Sequence, residues 1–194
     1  MIESNRCLEY LYVTGCDKLV SFPIDLGELP CISKLHVYNC PELRSLPKGI
    51  GHLSNLTELA IGGLSESINF NSFQAALDGI QQSKSLSYLY LYGWEHWDSL
   101  PYQLQRLTSL KILELKGFGI EALPEWLGGL PSLRSLELYD LKKLRHMQRL
   151  TKLECLIVRD CPLFEERCRQ ERGPDSEWSK ILHIADIHGV GPGY

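Results

Sequence analysis

Three tyrosines occupy alternate positions of one short segment, at Tyr88, Tyr90 and Tyr92. Because the side chains of a β-strand alternate between its two faces, this spacing predicts that the three rings lie on one face. A tyrosine side chain offers a large and fairly rigid contact area with a polar tip, and binding surfaces favour it for that reason. Any single tyrosine also suits a strand for general packing reasons. The clustering of several on one face favours binding for the group.

A second candidate site is the segment 141–152, LKKLRHMQRLTK, which contains five cations and no acid. Such a run is usually a solvated surface. The alternative is a contact patch for an acidic partner or for a neighbouring domain. Its cations are Lys142, Lys143, Arg145, Arg149 and Lys152.

Metal sites and catalytic sites are disfavoured by the spacing of the residues that would form them. His183, Asp186 and His188 are metal-ligating types, but Cys161 and Cys168 do not have zinc spacing and the histidines fall in a predicted cap. No local motif pairs Ser, His and Asp or Cys and His, and the glycines of GVGPG follow no strand. We therefore predict no enzyme activity, no metal, no cofactor and no small-molecule substrate.

The composition narrows the classes of partner. A formal net charge of -4 with mixed signs gives no reason to expect nucleic acid, whose binders usually show a basic face. No run approaches the roughly 18 apolar residues of a membrane span. The start, MIESNRCLEY, lacks the basic and apolar regions of a signal peptide. The sequence therefore predicts no nucleic-acid partner and no membrane partner.

The cysteines indicate the compartment. Seven is an odd number, and none of them forms a C-x-x-C pair. Thiols in a reducing cytosol fit best, so we predict a cytoplasmic location. Cys7 and Cys31, and likewise Cys16 and Cys40, are 24 residues apart, so they would lie within disulfide range if the chain forms stacked coils of that length. Bridges therefore stay open as an alternative to thiols that act as small buried hydrophobes at Cys16 and Cys40.

The elements that must position these residues follow from the leucines around them. The segment 86–101, LSYLYLYGWEHWDSLP, has apolar residues at spacings of 3, 2, 3, 3 and 3. The pattern recurs, with a period of 24 residues where it is regular, in copies that begin at Leu8, Ile32, Leu56, Leu110, Leu133 and Leu153. Such recurrence indicates stacked repeats, because each coil buries its apolar edge only against its neighbours. The L-x-x-L-x-L core is the leucine-rich-repeat pattern.

The predicted fold is therefore an α/β leucine-rich-repeat solenoid, or horseshoe, with about seven parallel strands on the concave face and short helical or irregular convex segments. We expect repeats over residues 1–164, and a C-terminal cap and tail over 165–194. The apolar residues of this cap return every three positions, at Trp178, Ile181, Ile184 and Ile187. No equivalent cap precedes Leu8, which favours either a piece of a longer solenoid or a first coil that tolerates exposure.

An insertion over residues 65–85 interrupts the repeats. Its apolar residues follow the helical spacing i, i+3, i+4, i+7, at Phe73, Ala76, Leu77 and Ile80. They predict a short amphipathic helix over 72–82 on the convex side, with Asn71 or Ser72 as its N-cap. Gly79 weakens the prediction for the last turn.

Extending the strand alternation to every repeat defines the predicted concave face. Seven of the nine tyrosines fall on it. The residues predicted to contact a protein there are Tyr10, Tyr12, His36, Tyr38, Tyr88, Tyr90, Tyr92, Glu114, Lys116, Glu137, Tyr139 and Arg159. Trp94 and Trp97 fall at inward positions of the tyrosine-rich coil, so we predict that they are oversized core residues.

Several motifs resemble one family. They are the coils VTGCDKLVSFP and VYNCPELRSLP, the segment LYLYGWEHWDSLPYQLQRLTSLKILELKGFGIEALPEWLGGLPSLRSL, and the ending DCPLFEERC followed by EWSKILHIADI. The chain resembles, from its first repeat to Ile187, the C-terminal repeats of plant intracellular immune receptors of the coiled-coil, nucleotide-binding, leucine-rich-repeat type.

The resemblance implies a module of a cytoplasmic receptor that recognises a pathogen effector, or a host protein altered by one, through the concave face. It also implies an alternative, a regulatory module that restrains a neighbouring nucleotide-binding switch domain through intramolecular contacts, with the basic run against that domain. The chain contains no G-x-x-x-x-G-K-[ST] loop, so it is not itself the switch.

Overall fold

Buried leucines at alternate positions define each strand. In the segment Tyr88–Tyr92, Leu89 and Leu91 are fully buried, whereas the three tyrosines that alternate with them remain partly exposed. A strand with one buried face has this alternation, so the tyrosine row follows directly from the leucine row. The structure is a computed structural model that describes residues 7–170 and 173–191.

The chain divides into two compact units. The first comprises Met1–Tyr92 with Pro101–Ser109, and the second comprises Gly93–Leu100 with Leu110–Tyr194. Four parallel strands lie in the first unit: β1 (Tyr10–Thr14), β2 (Lys34–Tyr38), β3 (Glu58–Gly62) and β4 (Tyr88–Tyr92). They pair in chain order with an unshifted register, so equivalent positions of successive repeats lie side by side.

The second unit also contains four parallel strands: β5 (Ile112–Lys116), β6 (Ser135–Tyr139), β7 (Cys155–Arg159) and β8 (Asp186–His188). They pair in the order β5, β6, β7, β8. The described residues therefore form eight strands, one more than the roughly seven predicted from the sequence. The extra strand lies inside the predicted cap, where the Asp186 N–H donates to the Glu154 carbonyl at 3.0 Å. A strand edge presents unpaired backbone groups, and β8 satisfies those of β7.

Short 3-10 helices form most of the segments that return the chain from one strand to the next. They span Leu26–Glu28, Ile50–His52, Ile80–Gln82, Tyr102–Arg106 and Glu125–Gly129. Pro101 and Pro124 stand directly before the last two, at their N-cap positions. The end of the second unit contains two α-helices, α2 (Pro162–Gln170) and α3 (Glu177–Ile181).

The insertion contains a shorter helix than the sequence predicts. The helix α1 spans Phe70–Ala76 rather than 72–82, and its N-cap is Asn69, whose side chain accepts from the Ser72 N–H at 2.8 Å. Gly79, with φ +100°, lies in the left-handed region and separates α1 from the following 3-10 helix. That conformation favours glycine and ends regular helix, so the predicted last turn is lost.

A polar cluster on the convex side attaches α1 to the next repeat of the first unit. The Gln103 side chain is fully buried, and its Nε2 donates to the Gln74 carbonyl at 2.9 Å and to Asp78 Oδ1 at 2.6 Å. The Tyr102 hydroxyl donates to the same Asp78 oxygen at 2.9 Å. Buried polar groups need such partners, so this cluster fixes where the insertion lies.

The repeats differ in how well they bury their apolar residues. Leu35 and Val37 of β2 are fully buried, but their equivalents in β1, Leu11 and Val13, are half-buried. In the described part of the chain, β1 has a strand neighbour on one side, which explains the difference.

The prediction that two tryptophans point inward is half correct. Trp97 is buried in the second unit, with its ring centroid 6.1 Å from that of Phe118. Trp94 is only half-buried, at the start of a turn in which the Trp97 N–H donates to the Trp94 carbonyl at 2.8 Å.

Candidate functional site

The exposed side of β1–β4 carries a continuous group of aromatic side chains, which we call the tyrosine face. Its aromatic members are Tyr10, Tyr12, His36, Tyr38, Tyr88, Tyr90 and Tyr92, all of them predicted from the sequence. Tyr10 and Tyr12 are 52% and 53% exposed, and Tyr88 is 37% exposed. Rings of this size that pack in a core would be buried, whereas these remain exposed on the strand face and are available for contact.

His36 stands at the centre of the tyrosine face. Its ring centroid lies 4.5 Å from that of Tyr12, with the rings nearly perpendicular, and 6.1 Å from that of Tyr38. Its centroid also lies 6.4 Å from that of Tyr90, two strands away. The pairs with Tyr12 and Tyr90 are edge-to-face, a geometry that is favourable at these distances, so these rings support one another's orientation.

Two small residues of β3 allow the aromatic side chains of β2 and β4 to meet. Ala60 lies between His36 and Tyr90, and Gly62 lies between Tyr38 and Tyr92, whose ring centroids are 5.5 Å apart. Both small residues are buried although they belong to the exposed side of the sheet. A Cβ added at Gly62, where φ is +133°, would overlap the Tyr92 carbonyl oxygen. The closure of the face over β3 therefore depends on small residues there.

One charged group completes the tyrosine face. Glu58 accepts from Lys34 Nζ at 3.1 Å and from His36 Nε2 at 2.8 Å, and its side chain is 17% exposed. Burial would raise the pKa of Glu58, but the hydrogen bonds from Lys34 and His36 outweigh it and hold that pKa below its usual value. The ionised carboxylate thus fixes the central histidine ring. Glu58 is not among the contact residues predicted from the sequence, although its position one repeat after Lys34, at the same place in the strand, is a signal that the sequence contains.

Comparison with known proteins bears on the fold. No protein-family model and no curated protein sequence matches the chain. Among solved structures, the leucine-rich-repeat domain of the type III effector XopL is similar over 96% of this chain and 70% of that one, with 23% identity and a TM-score of 0.63. A leucine-rich-repeat protein of Leptospira interrogans is similar over 93% of this chain and 55% of its own length, with 24% identity and a TM-score of 0.52.

The chain has a leucine-rich-repeat fold. The solenoid fold class predicted from the sequence is thereby confirmed. Identities at this level establish the shared fold and transfer no partner or activity to this leucine-rich-repeat chain.

The strand face of the second unit has a different chemistry. Its predicted contact residues are Glu114, Lys116, Glu137, Tyr139 and Arg159, of which Lys116 and Arg159 are exposed. The Tyr139 hydroxyl donates to Glu137 Oε2 at 3.1 Å. Burial is the largest cause and the hydrogen bond to Glu137 the second largest; together they raise the pKa of Tyr139 to about 12. This face is charged, and its tyrosine is committed to an internal bond.

The basic run of this leucine-rich-repeat chain is partly neutralised. Lys142 forms an ion pair with Asp140 at 2.7 Å, and Lys143 Nζ lies 3.9 Å from Glu95. Hydrogen bonding to Asp140 raises the pKa of Lys142. The remaining cations are exposed and form no ion pair within the described residues: Arg145, Arg149 and Lys152.

The residues that could suggest a metal are engaged elsewhere. His188 Nε2 lies 2.8 Å from Asp186 Oδ1, and His183 Nε2 donates to the Leu150 carbonyl at 2.9 Å. Within the part of the chain that the structure describes, no three His, Cys, Asp or Glu side chains come together as a metal site would require. Among residues 7–170 and 173–191, no helix has the length and apolarity of a membrane span.

A buried carboxylate in the second unit is not among the residues predicted from the sequence. Glu177, at the start of α3, is 1% exposed and accepts from Lys180 Nζ at 2.8 Å, His146 Nδ1 at 3.0 Å and the Met147 N–H at 3.0 Å. Burial would raise the pKa of Glu177, but these three donors outweigh it and hold the pKa below its usual value. Glu177 lies 31 residues from His146 in the sequence, so no local sequence pattern predicts the contact between them.

Proposed function

We propose that this chain is a protein-recognition module of a plant cytoplasmic immune receptor, and that it binds a pathogen effector or a modified host protein through the tyrosine face. The observation that carries the proposal is the aromatic group closed over Ala60 and Gly62, with Tyr10, Tyr12 and Tyr88 left exposed. The plant receptor assignment is supported by the motifs that resemble that family. The module itself performs no catalysis.

The form of the face suits a protein partner. Ring contacts that already exist hold the side chains in place before binding, so less conformational entropy is lost on association. Tyrosine is enriched among the residues that dominate binding free energies. The Lys34 and Glu58 charges balance within the face, which favours a partner surface that is aromatic or hydrogen-bonding over one of strong single charge.

The test replaces Tyr88, Tyr90 and Tyr92 by alanine in the full receptor. The elicitor-dependent response should be abolished while protein accumulation, measured by immunoblot, stays unchanged. A matched control is Tyr102→Ala, because Tyr102 is a 48% exposed tyrosine of the same unit outside the strand face, and Gln103 still donates to Asp78 when the Tyr102 hydroxyl is removed. That variant should respond as the wild type does.

A second variant keeps the test decisive if the triple variant fails to accumulate. Tyr10→Ala combined with Tyr12→Ala removes two rings that are more than half exposed, so the fold should tolerate the change. A full response from this stable double variant would rule out the tyrosine face as the recognition surface, even where the triple variant does not accumulate.

The alternative function is a regulatory module whose basic run contacts a nucleotide-binding domain of the same receptor. The observation that favours it is the exposure of Arg145, Arg149 and Lys152 without acidic partners among the described residues. Charge reversal at these three positions should then cause signalling without elicitor. Receptors that remain silent after the reversal would count against this alternative and leave recognition through the tyrosine face unaffected.

A further inference from the structure

Cys16 and Cys40 occupy the same position in the first two repeats, two residues after the ends of β1 and β2. Thr14 and Tyr38, the last residues of these strands, are register partners, and the Gly15 N–H donates to the Tyr38 carbonyl at 3.2 Å. Neighbouring strands lie about 4.8 Å apart, and disulfides join Cα atoms that are about 4.4–6.8 Å apart. The backbone therefore places the two cysteines within reach of a disulfide.

The side chains of these two cysteines also meet. A hydrogen bond joins the Cys16 thiol to the Cys40 thiol across the two coils. The other partners of the thiols are backbone carbonyls at long range: Cys40 Sγ lies 3.7 Å from the Val13 oxygen, and Cys16 Sγ lies 3.7 Å from the Thr14 oxygen. Because a thiol is a weak donor, little is lost when these contacts are exchanged for an S–S bond. Both cysteines are free thiols in the structure.

The two thiols differ in their contact with water. Cys16 is half-buried, whereas Cys40 is fully buried. Burial is the main cause that raises the pKa of Cys40 above its usual value, so Cys40 is a protonated thiol at neutral pH. An oxidant in solution therefore reaches Cys16 first, and Cys40 is placed to react with its neighbour afterwards.

We propose that Cys16 and Cys40 form a reversible disulfide on exposure to a small-molecule disulfide such as glutathione disulfide. The Cys16 thiolate attacks one sulfur of glutathione disulfide, which breaks its S–S bond and releases the first glutathione. Cys40 then loses its proton to water, and its sulfur attacks Cys16 Sγ and releases the second glutathione. The two cysteines lose two electrons and two protons, and one glutathione disulfide becomes two molecules of glutathione.

The bridge would attach the first coil covalently to the second. Leu11 and Val13 of β1 are half-buried, and within the described residues β1 pairs with β2 alone. A disulfide between residues 24 positions apart restricts the unfolded chain and opposes local opening of such a strand. This modification site goes beyond the proposed function, because it lies outside the tyrosine face and is measured on the chain alone.

The test treats the 194-residue chain with glutathione disulfide in the absence of denaturant. Remaining thiols are alkylated, and the chain is digested with trypsin without reduction and analysed by mass spectrometry. Trypsin cleaves after lysine and arginine, so Cys16 falls in the peptide 7–18 and Cys40 in 35–44. The expected product joins these two peptides, and dithiothreitol should separate them.

Two variants identify the cysteines in this product. Cys16→Ser should lose it. Cys7→Ser is the matched control, because it removes the exposed second cysteine of the same peptide and should keep the product. Circular dichroism checks that both variants are folded. In the oxidised wild type, hydrogen exchange of the β1 amides should be roughly 100-fold slower than in the reduced chain, and glutathione disulfide should cause no such change in Cys16→Ser.

Three results would overturn the proposal. Absence of the joined peptides in the folded wild type, whether Cys16 stays free or carries glutathione, would show that Cys40 does not react with it. The same product in Cys16→Ser would assign the bridge to Cys7. Formation of the product in urea but not in the folded chain would make it a property of the unfolded chain.

Discussion

In the first unit, Glu58 accepts hydrogen bonds from Lys34 and His36; in the second, Glu177 accepts them from Lys180, His146 and the Met147 N–H. Each carboxylate has a lysine and a histidine, and each has a pKa held below its usual value. Their positions differ. The Glu58 side chain is 17% exposed on the strand face, whereas that of Glu177 is 2% exposed between α3 and the segment after β6.

The difference separates a surface role from a structural one. A carboxylate that loses nearly all contact with water needs more donors, and Glu177 has a backbone N–H in addition to its two side-chain partners. Glu58 keeps some water and fixes a histidine ring that neighbouring tyrosines contact. The same three residue types therefore orient a candidate binding face in one unit and attach a terminal helix to the repeats in the other.

The largest expected effect is on the closure of the tyrosine face. Gly62→Ala should lower the free energy of unfolding by roughly 3 kcal/mol, because the added Cβ overlaps the Tyr92 carbonyl at a backbone conformation that favours glycine. Urea denaturation measures the change. The control is Gly129→Ala in the second unit, where an added Cβ has no neighbour within 4 Å. Equal stabilities for the two variants would contradict the close approach of β3 and β4.

Removing the buried charge of the second unit should have the next largest effect. Glu177→Gln should cost roughly 2 kcal/mol at neutral pH, because the charge-assisted bonds from Lys180 and His146 are lost in a buried site. Equilibrium unfolding in urea measures this change, and hydrogen exchange of α3 amides locates it.

The pH dependence of Glu177 has a defined sign. Its folded-state pKa is below the ordinary 4.5, so its contribution to stability is complete above that value and is lost as the pH falls below it. Glu177→Gln should therefore remove part of the acid destabilisation of the wild type. If the free energy of unfolding of the variant falls with acid as steeply as that of the wild type, other carboxylates account for the acid destabilisation.

The exposed counterpart should matter less for stability. Glu58→Gln should lower the free energy of unfolding by about 0.5–1 kcal/mol, since ion pairs that retain contact with water are weak. The same variant should change the His36 ring environment, which NMR of the imidazole protons detects. A stability loss as large as that of Glu177→Gln would erase the distinction between the two carboxylates.

The smallest effect is expected on the charged face of the second unit. Tyr139→Phe should cost about 0.5 kcal/mol, because it removes a half-buried hydroxyl bound to Glu137. It should also remove one of the tyrosines whose pKa is raised, in this case to about 12, so that less tyrosinate should form at the alkaline end of a titration followed by absorbance. An unchanged amount of tyrosinate in the variant would assign that ionisation to another tyrosine.

Local pattern was enough to predict much of this molecule. The strands around Leu89 and Leu113 lie where the repeat places them, since burial of alternate residues is a property of a few adjacent positions. The helix α1 was predicted in the right segment with wrong ends. The left-handed backbone of Gly79 ends the helical segment early, and the N-cap is Asn69 instead of the predicted Asn71 or Ser72. The contact role of the tyrosine face and the repeat boundary near residue 164 stay predictions.

What the sequence determined by itself was the repeat: its period places leucines inward and tyrosines outward, because strand alternation and burial act over neighbouring residues. The tertiary structure decided which of these residues meet. The rings of β2 and β4 touch because β3 carries Ala60 and Gly62 between them, and Glu177 finds its partners 30 and 31 residues back in the chain. Contacts of this kind depend on how coils stack, and no local spacing contains that information.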